Sequence, residues 1–319
     1  MGEMTGEAYE AVLSGSAAHD LRFSRYRHHR IFSPVELQCL KQGELRTRLE
    51  QDGVIFAHCM SRTWRAETYG VCTPLAWESS HFGLQLGFMD YAMAADADIA
   101  SATTMVAGLL QVTRDSGIRH LSTIVDAGDF DTFNLLMRAG FSLVDSRHVY
   151  YMRHARSIRS GKPVCEVRNY EEGDAAALLP IMADAGFISR YSRDPVFDAG
   201  KVSTMYEQWM CNLLVKPATD RVALMALRNG RLVAGGGVQR LDFSAYGISG
   251  CLWGNSIVAT GPAGVGCAGS LVEACLRQGF ERGMPMEFVV SHGNRGMSRV
   301  LEAAGCEHVL TQHALRIML

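Results

Sequence analysis

Long hydrophobic runs are missing from this sequence of 319 residues. A helix that crosses a membrane needs roughly 20 consecutive apolar residues, and no run of that kind occurs. The first residues also lack a basic segment followed by an apolar run, so we expect no signal peptide. We therefore expect a cytoplasmic protein without a membrane span.

Paired cysteine motifs are missing as well. The nine cysteines form no CxxC motif, and no cluster of Cys and His has the spacing of a zinc site. An odd, scattered set is typical of reduced thiols in the cytoplasm. No cysteine has a recognisable activating partner in sequence, so we expect neither a metal nor a covalent nucleophile.

An excess of charge of one sign is also lacking, since the formal net charge at pH 7 is -2. This balance favours no nucleic-acid partner. The cluster Arg22–Arg30 is a local exception, either a solvated surface segment or a basic rim that attracts a phosphorylated substrate. With 48% hydrophobic and 20% charged residues the chain is typical of an ordinary globular protein, and its length fits two domains.

The sequence does contain an internal repeat. The segment Leu136–Phe141, followed by His148, matches Leu301–Cys306, followed by His313, and 165 residues separate each matched pair. Because the segment and the histidine after it keep the same offset, the match indicates a duplicated domain rather than a chance similarity.

A polar segment divides the two copies. Ala155–Pro163 carries Gly and Pro between two strand-like runs, as is typical of a linker. We therefore predict one domain over residues 1–155 and a second over 164–319. In the second, periodicity and turn residues predict the order β-α-α-β-β-β-α-β-α-β, with an Asn-Gly hairpin turn at 229–230 and a strand over 247–258.

The copies differ at one informative place. Gly261–Ser270 is a glycine-rich turn that opens a helix, whereas the first copy has Ala94–Thr103 there, with Asp96 and Asp98. Glycines let backbone amides approach a phosphate, and a helix N-terminus attracts negative charge. Two aspartates would repel it. We therefore predict that only the C-terminal copy has an anion-binding loop.

This order of elements, with its glycine turn, resembles the GNAT N-acetyltransferase superfamily. The acyl-CoA loop of that family reads Arg or Gln, two residues of any kind, Gly, any residue, then Gly or Ala. Gly266 and Ala268 match this pattern, and Ala263 stands in the basic position. The resemblance implies an α/β fold of two GNAT-like domains, each a mixed central β-sheet flanked by α-helices.

A later pattern of the family, Asn followed by Tyr and then Gly-Phe, is matched in part. Asn294 fits the Asn, whereas Leu301 stands where the Tyr is expected and Cys306 where the Phe is. Relatives use that Tyr as the general acid for the leaving thiolate. In this chain Tyr206, Tyr246 or solvent would have to supply the proton.

Three further segments are similar to amino-sugar acetyltransferases of the TDP-fucosamine acetyltransferase type. They are Ser189–Pro195, then Met205–Trp209, and in the first half Leu75–Gly83. The mycothiol synthases, tandem proteins of the same superfamily and of similar length, are the alternative. The similarity to amino-sugar acetyltransferases implies a nucleotide-linked amino sugar as the acceptor.

The resemblance implies acetyl-CoA, or another short acyl-CoA, as co-substrate. Its pyrophosphate would bind the glycine turn, and its thioester would lie beside the strand before it. The implied contacts are Ile257, Val258, Gly264, Val265, Gly266, Cys267, Ala268, Gly269, Ser270 and Asn294. The alternative is a helix start in which glycine is needed only for close packing.

Three residues are candidates for the chemistry. His292 follows a predicted strand, and an imidazole of ordinary pKa suits proton removal from an ammonium. Glu287, in the same strand, competes for the role of base. Asn255 is a candidate for orienting the acceptor or a water. The alternatives are a surface histidine and a solvent-facing asparagine.

Five residues are candidates for binding the acceptor. Arg190 and Arg193 have the planar donors that suit a diphosphate, and Asp194 is suited to a substrate ammonium. The alternative is a local Arg-Asp pair that orders the loop. Trp77 and His81 are suited to stacking on a base or sugar, or to packing that joins the two halves.

The function that follows is transfer of an acetyl group from acetyl-CoA to the amine of an amino sugar, through a ternary complex. Two alternatives stay open: another acceptor amine, such as a peptide or amino acid, and a degenerate CoA-binding or assembly module. We expect the first half to bind no CoA and to form one wall of the acceptor cleft.

Overall fold

The computed structural model describes residues 30–60, 67–93 and 99–319. The basic cluster, apart from Arg30, and the segment 94–98 with its two aspartates lie outside the described residues. No helix in the described part is both long and apolar enough to cross a membrane. The chain forms two compact units, called unit 1 and unit 2 below.

The elements of the first part are α1 (Pro34–Leu49), β1 (Ile55–Met60), β2 (Glu67–Pro74), α2 (Ala76–Phe82), β3 (Leu86–Met93), α3 (Ile99–Asp115), β4 (His120–Asp126), α4 (Phe130–Arg138) and β5 (Ser142–Met152). Those that follow are β6 (Glu166–Asn169), α5 (Asp174–Asp184), α6 (Arg190–Arg193), α7 (Ala199–Leu214), β7 (Arg221–Arg228), β8 (Arg231–Asp242), β9 (Cys251–Thr260), α8 (Cys267–Glu281), β10 (Met286–Ser291), α9 (Arg295–Ala304) and β11 (Glu307–Met318).

Unit 1 contains the described residues up to 144, with 243–250 and 311–319. Its sheet is mixed: β1, β2 and β3 pair antiparallel, β3 pairs parallel with β4, and β4 pairs antiparallel with β11. Helix α3 presents its apolar face to this sheet, and Leu109 and Leu121 are fully buried in the resulting core. The unit is therefore a sheet with its main core beneath α3.

Unit 2 contains residues 145–242 and 251–310. Its sheet is also mixed: β5 pairs antiparallel with β10, β10 parallel with β9, and β9, β8, β7 and β6 pair antiparallel in turn. Helix α8 packs on it, with Leu276 and Trp253 fully buried between them. The buried indole N–H of Trp253 has a hydrogen-bond partner, since it donates to the Gly279 carbonyl at 3.1 Å.

The predicted order of elements in the second half is confirmed, with α6 as one short addition. The Asn-Gly hairpin turn is also confirmed, since Asn229 and Gly230 have φ of 53° and 72°. The strand predicted over 247–258 is wrong at its start. Gly247 ends a 3-10 turn with φ 73°, and the strand begins only at Cys251.

The duplication is visible in matched helix ends. Asp129 caps α4 and Asn294 caps α9, each accepting the N–H three residues later. Gly140 and Gly305 follow these helices with φ of 98° and 97°. Only glycine adopts that conformation without strain, so both glycines are explained by the same helix ending.

Each sequence half gives its last strand to the unit built mainly from the other half. Residues 147–152 of β5 pair with β10, and Tyr150 lies in the core of unit 2. Residues 312–318 of β11 pair with β4, and Leu315 lies in the core of unit 1. The division at 155 and 164 stays a prediction about the two copies of the repeat. It does not describe the compact units.

Candidate active site

The glycine turn of unit 2 joins β9 to α8. A 3-10 turn at Pro262–Gly264 follows the strand, Gly266 adopts φ 89°, and α8 begins at Cys267 without a side-chain cap. The first N–H groups of a helix have no partner within it. They therefore form a positively polarised end suited to an anion.

Three glycines of the turn have different structural reasons. A Cβ at Gly264 would collide with the carbonyl oxygen of Val233, so this glycine is required by packing. Gly266 is required by its positive φ. Gly269, in the first turn of α8, would meet nothing within 4 Å. Close packing thus explains the first glycine and leaves Gly269 beside open space.

The guanidinium of Arg228 holds the turn from the end of β7. It donates to the carbonyl oxygens of Ala263 at 2.8 Å and Val265 at 3.1 Å. These two bonds direct carbonyl oxygens toward Arg228 and add a positive charge beside the turn. Arg228 therefore supplies a cation to a loop whose own basic position is occupied by Ala263.

If the turn binds acetyl-CoA, as its resemblance to the GNAT loop implies, we expect Arg228→Met to weaken that binding about tenfold, because a charged hydrogen bond contributes roughly 1.5–3 kcal/mol and this one is partly exposed. Isothermal titration calorimetry measures the effect. Arg231→Met is the matched control, since it removes the same charge from an exposed position on the same hairpin. Equal affinities of the two variants would contradict the role of Arg228.

A cavity of about 500 Å³ adjoins the turn. It is bounded by the segment 159–165 and by helices α8 and α9, and Gly266, Gly269 and Ser270 line one side. Its basic lining residues are Arg159, Lys162, Arg277 and Arg299, with Glu273 as the acidic one. The cavity thus has room and charge for a phosphorylated group.

Strands β9 and β10 pair near their first residues and then diverge. Their parallel pairing has a single register point, Met286 opposite Trp253. Further along β9, the register with β8 shifts, and exposed Asn255 adopts φ 48°. An asparagine tolerates this left-handed conformation in a bulge better than most residues. Ile257 of β9 keeps its register partner Gly237 on β8 and has no register partner on β10.

The other candidates for chemistry lie on β10 or just after it. Glu287 is only 1% exposed and lies opposite Tyr151 in the pairing with β5. Burial raises the pKa of the Tyr151 hydroxyl. His292 is exposed, and its backbone N–H donates to the Ser146 carbonyl at 2.6 Å. Between the two, His292 is the more accessible to a substrate.

His292 belongs to a group of three histidines in unit 2. Its Nδ1 lies 2.8 Å from Nε2 of His148, and Nδ1 of His148 lies 3.1 Å from Nε2 of His308. In the sequence, His148 is only a landmark of the repeat and His308 has no distinguishing pattern. No spacing signals the contact, because it joins a residue within β5, a residue just after β10 and a residue near the start of β11.

A buried carboxylate lies near the end of β10. Asp145 accepts the Ser291 hydroxyl at 2.8 Å, and Nε of Arg193 lies 3.5 Å from the same oxygen. Burial raises the pKa of Asp145, while Ser291 and Arg193 oppose the rise. The Arg193 side chain lies directly against Gly293, leaving no room for a Cβ there. Arg193 thus reaches the residues beside His292.

The remaining acceptor candidates in α6 have local contacts. Arg190 donates to the Tyr191 hydroxyl at 2.8 Å. Asp194 is 2% exposed and accepts the N–H of Val196 at 3.2 Å. Asp194 thus helps to order the loop through a backbone N–H, and the alternative of a local Arg-Asp pair stays a prediction. The binding of a substrate ammonium by Asp194 stays a prediction.

The candidates Trp77 and His81 lie in unit 1. Their rings stack on one face of α2, with centroids 5.0 Å apart and planes 11° apart, and Trp77 is 43% exposed. Their acceptor role stays a prediction. Asn294, predicted to contact the acyl-CoA, already uses its Oδ1 as the cap of α9.

The tyrosines considered as proton donors differ in position. Burial raises the pKa of Tyr206 to about 12, and its ring stacks on Phe187 at 4.1 Å. Tyr246 lies in unit 1 against Gly43. Leu301 is fully buried in the core of unit 2. Neither tyrosine lies on β10 or α9, where the missing Tyr would be.

Within residues 30–60, 67–93 and 99–319, no three or more His, Cys, Asp or Glu side chains are grouped so as to hold a metal ion. Burial raises the pKa of the Cys275 and Cys306 thiols to about 12 each. Such thiols are protonated at neutral pH and are poor nucleophiles. These two thiols are therefore poor candidates for a nucleophile.

No family model and no curated protein matches this chain. Solved structures do match. A GCN5-related N-acetyltransferase from Sphaerobacter thermophilus shares 13% identity over 96% of this chain and 92% of its own, with a TM-score of 0.60. A tandem GNAT protein from the clavulanic acid biosynthesis pathway shares 13% identity over 98% and 95%, with a TM-score of 0.55.

A GCN5-related N-acetyltransferase from Kribbella flavida is similar at 14% identity, over 87% of this chain and 95% of its own, with a TM-score of 0.53. At these identities the similarity concerns the fold. It covers nearly the whole chain, including both halves in the tandem protein. The predicted α/β fold class, mixed sheets flanked by helices as in GNAT proteins, is confirmed.

Proposed function

We propose that this chain is an N-acyltransferase that transfers an acetyl group from acetyl-CoA to an amine. The observation that carries the proposal is the uncapped N-terminus of α8 on its glycine turn, next to the divergence of β9 and β10. A pyrophosphate suits the first feature, and an extended thioester arm suits the second. The GNAT fold of the solved structures supports the same assignment.

The chemistry needs a neutral amine, a polarised carbonyl and a proton for the leaving thiolate. Backbone N–H groups of β9 near Ile257 would polarise the carbonyl, because the strand has no β10 partner beyond Trp253. The amine nitrogen attacks the carbonyl carbon, the C–S bond breaks, and the amine proton leaves to solvent. No covalent enzyme intermediate is required.

For the acceptor, we propose a nucleotide-linked amino sugar. The similarity of Ser189–Pro195 to amino-sugar acetyltransferases supports this proposal. So does the position of Arg193, a planar donor that reaches Gly293 at the end of β10. A different small amine, such as an amino acid or peptide, would use the same donor site.

A calorimetric titration with acetyl-CoA tests the proposal. We expect one site per chain, because only unit 2 combines a glycine turn with an uncapped helix among the described residues. A thiol-release assay over nucleotide-linked amino sugars, amino acids and peptides then identifies the acceptor. Binding without turnover on any acceptor would favour a CoA-binding module, and absence of binding would overturn the donor assignment.

A further inference from the structure

His308, His148 and His292 form a hydrogen-bonded row, here called the histidine row. His148 lies on β5 in the middle, with both ring nitrogens occupied by its neighbours at 3.1 and 2.8 Å. At one end, Nε2 of His308 also lies 3.0 Å from the carbonyl oxygen of Leu310. At the other end, His292 is exposed at the end of β10.

The Leu310 carbonyl determines where the protons lie. A carbonyl oxygen only accepts, so Nε2 of His308 must carry a hydrogen, which it shares with Nδ1 of His148. The neutral His148 ring then has its hydrogen on Nε2 and donates it to Nδ1 of His292. The neutral His292 ring therefore carries its own hydrogen on Nε2, the outer nitrogen.

The surroundings of the middle ring favour its neutral form, mainly through burial. Burial and the two neighbouring histidines lower the pKa of His148, and Glu302 on α9 opposes them. Tyr150 faces the row from β5 and donates to Glu302 at 3.0 Å. A proton on Nδ1 of His148 would confront the hydrogen on Nε2 of His308. His308 itself is exposed at its end of the row.

We propose that the histidine row is a proton relay that makes Nε2 of His292 a proton donor. This inference rests on the proposed acyl transfer, in which His292 would protonate the leaving thiolate. It gives His292 the role of acid in place of the base predicted from sequence. It also fills the role left vacant by Leu301, which has no proton to donate.

The transfer is balanced along the row. The thiolate takes the hydrogen from Nε2 of His292, and Nδ1 of His292 takes the hydrogen from Nε2 of His148. Nδ1 of His148 takes the hydrogen of His308, and solvent returns a proton to Nδ1 of His308. After the transfer, Nε2 of His308 has no hydrogen and faces the Leu310 carbonyl oxygen, which can only accept. Exchange of protons with solvent then restores the starting arrangement.

Long-range proton–nitrogen NMR of the 15N-labelled full chain tests the direction of the row. Above the ordinary histidine pKa, we expect His292 and His148 to be protonated at Nε2 and unprotonated at Nδ1. His308→Phe removes the fixed donor, and we then expect both tautomers of His292. A wild-type His292 protonated at Nδ1, or an unchanged spectrum in the variant, would overturn the relay.

Kinetics test its use in the reaction. We expect His308→Phe to lower kcat about tenfold, below the full effect of general-acid loss because a thiolate leaves readily, with an unchanged KM for acetyl-CoA. His154→Phe, an exposed histidine of unit 2 outside the row, is the matched control and should leave kcat unchanged. An unchanged kcat in His308→Phe would overturn the relay.

These experiments separate the two proposals. If the calorimeter shows no acetyl-CoA binding, the acyl-transfer proposal fails and the relay to a thiolate fails with it, although NMR still reports the row's tautomers. If the chain transfers acetyl groups and the tautomers are reversed, only the relay fails.

Discussion

Gly269→Glu is expected to weaken acetyl-CoA binding by about 100-fold, because a carboxylate beside the first turn of α8 repels a pyrophosphate and competes for the same N–H groups. Gly269 is the best position for this test. Its Cβ meets nothing within 4 Å, so the side chain enters the space without a clash. A substitution at Gly266 would instead strain a backbone with φ 89°.

Two controls accompany this variant in the same calorimetric titration. Gly269→Ala adds a methyl group without charge and should bind within about threefold of wild type. Gly108→Glu places the same side chain at an open helical glycine of α3, in unit 1, and should bind as wild type. Near-normal binding by Gly269→Glu would show that the pyrophosphate does not bind at the N-terminus of α8. It would contradict the proposed placement of acetyl-CoA.

Leu315→Ala is expected to destabilise unit 1 by about 3 kcal/mol, the usual cost of deleting a fully buried leucine side chain. Leu315 is 0% exposed on β11, opposite Thr123 of β4. Hydrogen exchange measured by mass spectrometry should show the largest loss of protection in β4. Thermal unfolding should show a lower Tm for the same transition.

Met318→Ala is the matched control for this prediction. It lies on the same strand and is 41% exposed, so its loss should cost within about 0.5 kcal/mol. If the two variants unfold alike, or if exchange rises in β7 of unit 2 and not in β4, then β11 does not belong to the core of unit 1.

The fold could be predicted wherever local pattern decides. The order of elements in the second half and the Asn-Gly turn at 229–230 follow from periodicity and turn residues. The exchanged strands could not be predicted. β5 and β11 belong to matching places in the repeat, so nothing in either strand indicates which sheet it joins; packing of Tyr150 and Leu315 decides.

The candidate site divides in the same way. The glycine turn consists of consecutive residues, so its place between β9 and α8 is predictable from Gly266 and its neighbours, and its anion binding stays a prediction. Arg228 is 35 residues from Ala263 of the turn in sequence, and His308 is 160 residues from His148, so only folding brings each pair into contact. The tautomers of the histidine row depend further on the backbone carbonyl oxygen of Leu310. Every residue has such an oxygen, so no sequence motif could indicate its role.

The strand exchange also sets an order for synthesis on the ribosome. Most of the described residues of unit 1 precede unit 2 in the chain, yet β4 acquires its β11 partner only after residues 311–319 are made. At translation rates of about 5–20 residues per second, the unpaired edge of β4 persists for roughly ten seconds or more. During that interval the nascent chain displays an edge strand that is open to wrong pairing.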